Sequence, residues 1–105
     1  MIRAVVFDVG ETLVDETRHW REWADWLGVP HLTFFAVLGA MIERGEPHRA
    51  VFDLVRPGFD LEAETERSQA AGWTYAFETA DFYPDALPCL RALRAACYRI
   101  GVAGN

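Results

Sequence analysis

The sequence predicts an α/β protein, namely part of a doubly wound parallel core with an all-helical segment inserted into it. Residues 4–7 (AVVF) form a short apolar run that leads into Asp8, as is typical of a strand covered on both faces. Residues 99–103 form a second such run, and the segments between the two show helical periodicity. Because a strand–helix–strand crossover makes adjacent parallel strands, we expect segments 4–8 and 99–103 to pair in parallel.

The inserted segment begins with an amphipathic helix after Asp15. Its apolar residues recur at i, i+3, i+4 and i+7, at Trp20, Trp23, Ala24 and Leu27. Asp15 or Thr17 is suited to begin the helix and Gly28 to end it. Trp26 lies off this stripe, which makes it either an edge residue or a contact to another element.

Three further helices follow in the insert. The second, over residues 30–45, is apolar nearly all round, so we expect it to be buried centrally. A close neighbour at Gly39 would offset the cost of a glycine within that helix. The third covers residues 47–55 and the fourth residues 60–72. The acidic run at residues 60–69 is typical of a solvated helix face.

An aromatic, aperiodic return segment at residues 73–82 leads into the last helix, whose apolar face recurs at Leu87, Leu90, Leu93 and Ala96. Cys97 stands where this helix must end before the second strand. Helix ends favour a left-handed residue there, so we expect a positive φ at Cys97 or a looser turn. The predicted organisation is a core of residues 1–14 and 81–105 with a helical segment of residues 15–80.

Charge and composition exclude several classes of partner. The 105 residues carry 16 acidic and 10 basic side chains, so no basic stripe is present to bind nucleic acid. No apolar run reaches the about 18 residues of a membrane span, and the first residues lack the pattern of a signal peptide. Cys89 and Cys97 fall about 12 Å apart along one helix, too far for a disulfide. We therefore expect a cytoplasmic protein without a nucleic-acid or membrane partner.

Two segments together resemble the haloacid dehalogenase-like hydrolase superfamily. VVFDVGETLVDE, residues 5–16, is similar to its first motif, an apolar strand followed by Asp-x-Asp-x-Thr. FYPDALPCLRALRAACYRIGVAGN, residues 82–105, is similar to its re-entry helix and second strand. The resemblance implies a Rossmann-like core with an inserted helical cap. It also implies a hydrolase that acts on a small phosphorylated metabolite.

The resemblance assigns roles to particular residues. It makes Asp8 the catalytic nucleophile, and it makes the Asp8 carboxylate and the Gly10 carbonyl oxygen two ligands of a magnesium ion, Mg2+, as cofactor. Gly104 and Asn105 then bind the substrate phosphoryl group through backbone N–H groups. The position of Asp8 agrees with this role, because open α/β sheets place ligands at the carboxyl ends of their strands. A held carboxylate is also a reasonable covalent nucleophile.

Several positions depart from the family pattern. Gly10 stands where the family's phosphatases carry a second aspartate, the general acid/base, and Gly104 stands where they carry a serine or threonine. Glu11 is one candidate for the missing acid, although its side chain should leave the backbone in a different direction.

Thr12 matches the motif and is expected to brace the loop. Arg18 is more typical of a solvated side chain than of a substrate contact.

These residues favour a magnesium-dependent phosphatase that acts through Asp8. Two alternatives stay open. One is a dehalogenase-type hydrolase acting on carbon, which does not need a second acid at position 10; the other is a non-catalytic binding protein that has kept the fold. The family's third motif, a lysine, and its fourth, acidic metal ligands, have no counterpart within the 105 residues. We therefore expect an incomplete fragment of a longer hydrolase, with negligible activity by itself.

Overall fold

The structure, a computed structural model, describes residues 1–74 and 76–104. Within these residues it is a mixed helix and strand protein, as the sequence predicts. The elements are β1 (Ala4–Phe7), α1 (Thr17–Leu27), α2 (His31–Glu43), α3 (Ala50–Val55), α4 (Leu61–Ala70), a 3₁₀ turn (Thr79–Asp81), α5 (Ala86–Ala95) and β2 (Arg99–Val102). The chain forms two compact units: a sheet unit of Met1–Arg18 with Ala76–Asn105, and a helical unit of His19–Tyr75.

The helix ends lie close to the residues that the sequence marks for them. The Asp15 carboxylate accepts a hydrogen bond from the Thr17 N–H at 2.9 Å as α1 begins. Gly28, with a φ of 68°, follows the end of α1. The Asp60 carboxylate accepts from the Ala63 N–H at 3.1 Å and caps α4. Helix α3 is shorter than predicted and begins only at Ala50.

The sheet unit contains the predicted parallel pair of strands. β1 and β2 are hydrogen-bonded neighbours in parallel, with a register that runs from Ala4 opposite Arg99 to Phe7 opposite Val102. One more backbone bond, from the Ala103 N–H to the Phe7 carbonyl at 2.9 Å, continues the pairing past the end of β2. The carboxyl ends of both strands therefore meet at one edge of the sheet.

The two-stranded sheet is not covered on both faces within the described residues. Val6, Ile100 and Val102 are 67%, 36% and 59% exposed. The physical reason is that two strands and one crossover helix cover only part of a sheet, whereas parallel sheets are normally covered on both faces. The described residues form a two-stranded parallel sheet and not a full doubly wound core.

The helical unit has its own apolar core, built from residues of α1, α2 and α3. The buried members are Trp23, Ala24, Leu27, Phe34, Leu38, Val51 and Phe52. Its aromatic rings pack edge to face and in parallel: Trp23 and Phe52 have ring centroids 5.0 Å apart, and Phe52 and Phe59 stack at 4.7 Å. Burial of these rings stabilises the unit.

Helix α2 is less buried than its apolar composition predicts. Leu32 is 84% exposed and Ile42 is 52% exposed, so only one face of α2 packs on the core. A Cβ placed on Gly39 would meet no atom of the described residues within 4 Å, so none of them is a close neighbour that explains this glycine.

No single helix in the described chain is long and apolar enough to cross a membrane. Only α1 and α2 taken together, bent by 118°, match the length and composition of a broken span.

The acidic run in α4 is not solvated throughout. Glu64 is 8% exposed, and its carboxylate accepts a hydrogen bond from the Trp26 indole N–H at 2.9 Å. Arg67 lies 3.2 Å from the other Glu64 oxygen. Trp26 also packs edge to face on Trp73, with ring centroids 5.7 Å apart. Trp26, which lies off the apolar stripe of α1, is therefore a contact to other elements.

The end of α5 confirms the prediction made for Cys97. Its φ is 66°, in the left-handed region that favours glycine. The Cys97 N–H donates to the Arg94 carbonyl and the Tyr98 N–H to the Leu93 carbonyl, both at 3.0 Å. This pair of bonds defines a Schellman motif, in which the left-handed residue satisfies the last carbonyls of the helix.

We expect Cys97→Gly to stabilise the protein by a few tenths to about 1 kcal/mol, because glycine adopts a positive φ without strain from a Cβ. Cys97 is exposed, so little packing is lost with its thiol. Cys97→Ala is the matched control, since it removes the thiol but keeps the Cβ. Urea unfolding followed by far-UV circular dichroism measures both. A clear loss of stability in Cys97→Gly would show that side-chain packing outweighs backbone strain.

Candidate active site

The candidate site lies in the sheet unit, where the chain leaves β1 and folds back over residues 8–16. The Val9 carbonyl accepts three backbone hydrogen bonds, at 3.2, 2.9 and 3.2 Å, from Thr12, Leu13 and Val14. The Leu13 and Val14 side chains are buried and pack with Ala86 of α5. This small core fixes the loop against the first turn of α5.

Asp8 follows β1 directly, and its side chain is exposed rather than buried. The Thr12 hydroxyl donates to Asp8 Oδ2 across 3.4 Å, a long hydrogen bond that agrees with a bracing role for Thr12. Within the described loop 8–16, no hydrogen bond ends on the Gly10 carbonyl oxygen. A carboxylate and a carbonyl oxygen two residues apart are the kind of oxygen ligands that Mg2+ takes.

Gly104 lies at the same sheet edge as Asp8. A Cβ placed on Gly104 would be 3.5 Å from the Val9 side chain, an ordinary van der Waals contact. Gly104 is therefore next to the residue that follows Asp8. The structure places Gly104 beside Val9, the residue between Asp8 and Gly10, whereas Asn105 lies outside the described residues.

Glu11 supports the loop with both of its carboxylate oxygens. Oε1 accepts from the Glu16 N–H at 2.8 Å, and Oε2 accepts from the Tyr83 hydroxyl at 2.7 Å. Glu11 also has a φ of 57°, a left-handed conformation that is uncommon for a residue other than glycine. These contacts hold that conformation and favour a structural role for Glu11 over the role of substitute acid.

A different carboxylate, that of Glu16, lies over Gly10. An ideal Cβ at position 10 would overlap Glu16 Oε1 and would be 2.8 Å from Glu16 Cδ. A side chain at position 10 would therefore displace the Glu16 carboxylate from this place. Sequence reasoning missed Glu16, because the six-residue separation from Gly10 carries no periodic signal.

Arg18 is held by a buried acid instead of being solvated. Its Nε and Nη2 donate to the two carboxylate oxygens of Asp81 at 2.9 and 2.6 Å, and Nη2 also donates to the Ala76 carbonyl at 3.0 Å. The Asp81 side chain is 6% exposed and accepts a further bond from the Glu78 N–H at 2.7 Å. The local sequence does not mark Asp81, since its partner is 63 residues away along the chain.

The Tyr83 hydroxyl is expected to lose its proton at a higher pH than an ordinary tyrosine does. Its hydrogen bond to Glu11, with burial and the nearby carboxylates adding to the effect, raises the pKa of Tyr83 to about 12. This pKa lies above the usual value of about 10. The bond therefore adds stability below pH about 10, and this stability is lost as the pH rises through the raised pKa.

Ultraviolet absorbance of phenolate measures this titration, and the difference between the parent protein and Tyr83→Phe isolates Tyr83 from the other tyrosines. Glu11→Gln keeps an acceptor but removes the charge, so it should bring the midpoint down toward pH 10. A Tyr83 midpoint close to 10 in the parent protein would contradict the Glu11 hydrogen bond.

The described residues contain no cluster of metal-binding side chains. Residues 1–74 and 76–104 hold no group of three or more His, Cys, Asp or Glu placed to bind a metal ion. A comparison of the chain with protein-family models finds no match, and comparisons with curated proteins and with solved structures find none either.

Proposed function

We propose that the chain is the nucleophile-bearing part of a haloacid dehalogenase-like hydrolase, a magnesium-dependent phosphatase of a small phosphorylated metabolite. The observation that supports this proposal is that three candidate site residues follow the carboxyl ends of two paired strands. β1 and β2 are parallel neighbours, and Asp8, Gly10 and Gly104 follow their carboxyl ends. This edge is where open α/β sheets bind their ligands.

In this proposal the exposed Asp8 carboxylate attacks the phosphorus atom of the substrate. The hydrogen bonds to the Val9 carbonyl fix the backbone of the loop, so the nucleophile is positioned before the substrate arrives. The Thr12 hydroxyl lies 3.4 Å from Oδ2 of this carboxylate. Gly104 has no side chain, which lets an anion approach the backbone N–H groups at the end of β2.

The residues at this edge fit a magnesium ion. The Asp8 carboxylate and the Gly10 carbonyl oxygen would hold it, and both are hard oxygen ligands. When bound, the ion would neutralise the charge on the phosphoryl oxygens.

The proposal includes a larger, doubly wound core of Rossmann type, with the helical unit as its cap. Val6, Ile100 and Val102 are exposed on the two-stranded sheet, and parallel sheets normally have both faces covered. Further strands and helices would cover these residues.

We also propose that the protein is cytoplasmic. Cys89 and Cys97 are both free thiols, as is usual in a reducing compartment.

The test uses the protein in its full encoded length, incubated with a panel of small phosphomonoesters with and without magnesium. We expect magnesium-dependent release of phosphate that Asp8→Asn abolishes, because an amide is a far weaker nucleophile than a carboxylate. Asp85→Asn is the matched control. Asp85 is an exposed aspartate whose side chain makes no capping bond, so its loss should leave the rate unchanged.

Three outcomes would contradict the proposal. Full activity in Asp8→Asn would remove Asp8 from the mechanism. Release of halide from 2-chloropropionate, without release of phosphate from any ester, would favour the dehalogenase. Binding of phosphate esters without turnover of either substrate class would favour a non-catalytic protein.

A further inference from the structure

The strongest unexplained feature of the site is the contact between Gly10 and Glu16. An ideal Cβ built on residue 10 would overlap Glu16 Oε1. The Glu16 carboxylate therefore lies where the side chain of an aspartate at position 10 would begin.

Backbone contacts fix where the Glu16 side chain starts. The Glu16 N–H donates to Glu11 Oε1 at 2.8 Å. The preceding N–H, that of Asp15, donates to the Asp81 carbonyl at 2.8 Å. Residue 16 is therefore tied both to the loop and to the 3₁₀ turn, and its side chain is half-buried.

Two neighbouring carboxylates of the loop, those of Glu11 and Asp15, make hydrogen bonds within it. Glu11 accepts from Tyr83 and from the Glu16 N–H, and Asp15 accepts from the Thr17 N–H as α1 begins. Glu16 is the loop carboxylate that lies against Gly10, two residues after the nucleophile. A side chain at position 10 would displace the Glu16 carboxylate from this place.

We propose that Glu16 is the general acid and base of the Asp8 reaction, its carboxylate reaching over Gly10 to the reacting atoms. The inference rests on the proposed phosphatase function and deepens it. It explains why a phosphatase site can have glycine at position 10. Gly10 makes room for a carboxylate that comes from six residues downstream.

The chemistry balances over two steps. In the first, an Asp8 oxygen bonds to phosphorus, the bond from phosphorus to the alcohol oxygen breaks, and protonated Glu16 gives its proton to that oxygen. In the second, ionised Glu16 takes a proton from water as the water oxygen bonds to phosphorus. The bond from phosphorus to Asp8 then breaks, its electron pair returns to Asp8, and phosphate leaves.

The test compares two substrates that differ in their need for an acid, an alkyl phosphate and 4-nitrophenyl phosphate, on the full encoded protein with magnesium. We expect Glu16→Gln to lower kcat on the alkyl phosphate by about 10²–10⁴-fold, the usual contribution of a positioned acid or base. Nitrophenolate leaves without a proton, so Glu16→Gln should still form the phosphoryl-Asp8 adduct and then accumulate it. Intact mass detects this adduct, which Asp8→Asn cannot form.

Two further variants separate catalysis from structure. Asp15→Asn removes the same charge one residue away and should accumulate no adduct. The double variant Gly10→Asp with Glu16→Ala should recover much of the activity lost in Glu16→Ala alone. It places a carboxylate on residue 10 itself, and the glutamate that an aspartate at position 10 would clash with is gone. If the role of Glu16 were structural, the double variant would not recover activity.

The outcomes distinguish this inference from the function on which it rests. Asp8-dependent turnover with unchanged alkyl-phosphate kinetics in Glu16→Gln would overturn the role of Glu16 and leave the phosphatase standing. Failure of the double variant to recover activity, while it keeps the parent's circular dichroism spectrum, would also overturn it. Absence of both turnover and adduct in the parent protein would overturn both proposals.

Discussion

Replacement of Phe34 by alanine is expected to unfold the helical unit or bring it close to unfolding. The Phe34 side chain is fully buried, and its ring centroid lies 6.0 Å from that of Trp20 and 6.2 Å from that of Phe52. Truncation of a buried phenylalanine to alanine costs about 3–5 kcal/mol, because apolar burial is lost and a cavity remains. A folded unit of this size is stable by only roughly 3–9 kcal/mol.

Fluorescence measures this effect selectively, since all four tryptophans, Trp20, Trp23, Trp26 and Trp73, belong to the helical unit. Urea unfolding of Phe34→Ala should show a large fall in the midpoint. Leu32→Ala is the control on the same helix. Leu32 is 84% exposed, so its loss should change the stability by no more than about 0.5 kcal/mol. Equal shifts in the two variants would show that Phe34 is not a core residue.

The second large effect is expected at the Arg18–Asp81 ion pair in the sheet unit. Asp81→Asn should destabilise this unit by about 2–4 kcal/mol, because it removes a charge and one of two acceptor oxygens from a buried cluster. Nη2 of Arg18 donates both to Asp81 and to the Ala76 carbonyl, and Glu78 donates to the same Asp81 oxygen. The change therefore loosens residues 76–81 as well as the first turn of α1.

Hydrogen exchange at the amides of β1 and β2 detects this loss without relying on tryptophan, which the sheet unit lacks. Asp85→Asn again serves as the control, since Asp85 is an exposed aspartate four residues away. A double-mutant cycle with Arg18→Met isolates the interaction between the two side chains. Additive effects of the two single changes would show that the 2.6 Å contact contributes nothing measurable.

Local chemistry in the sequence determines most of the elements. Asp15, Gly28 and Asp60 mark helix ends through capping bonds or a positive φ, so α1 and α4 begin or end beside them. The positive φ at Cys97 follows from the same reasoning, because a helix that must stop before a strand needs a left-handed residue. The parallel pairing of β1 with β2 follows from the crossover rule.

The sequence by itself thus determined the order of elements, the common edge of Asp8 and Gly104 and the turn at Cys97, because each depends on neighbours in the chain or on a general rule of connection. The tertiary structure alone decided which acidic side chains meet which partners. The contact of Glu16 with Gly10 depends on the fold of the loop. The bond between Arg18 and Asp81 depends on the return of a segment 63 residues away along the chain. Such contacts arise from three-dimensional proximity, which leaves no period or spacing in the sequence.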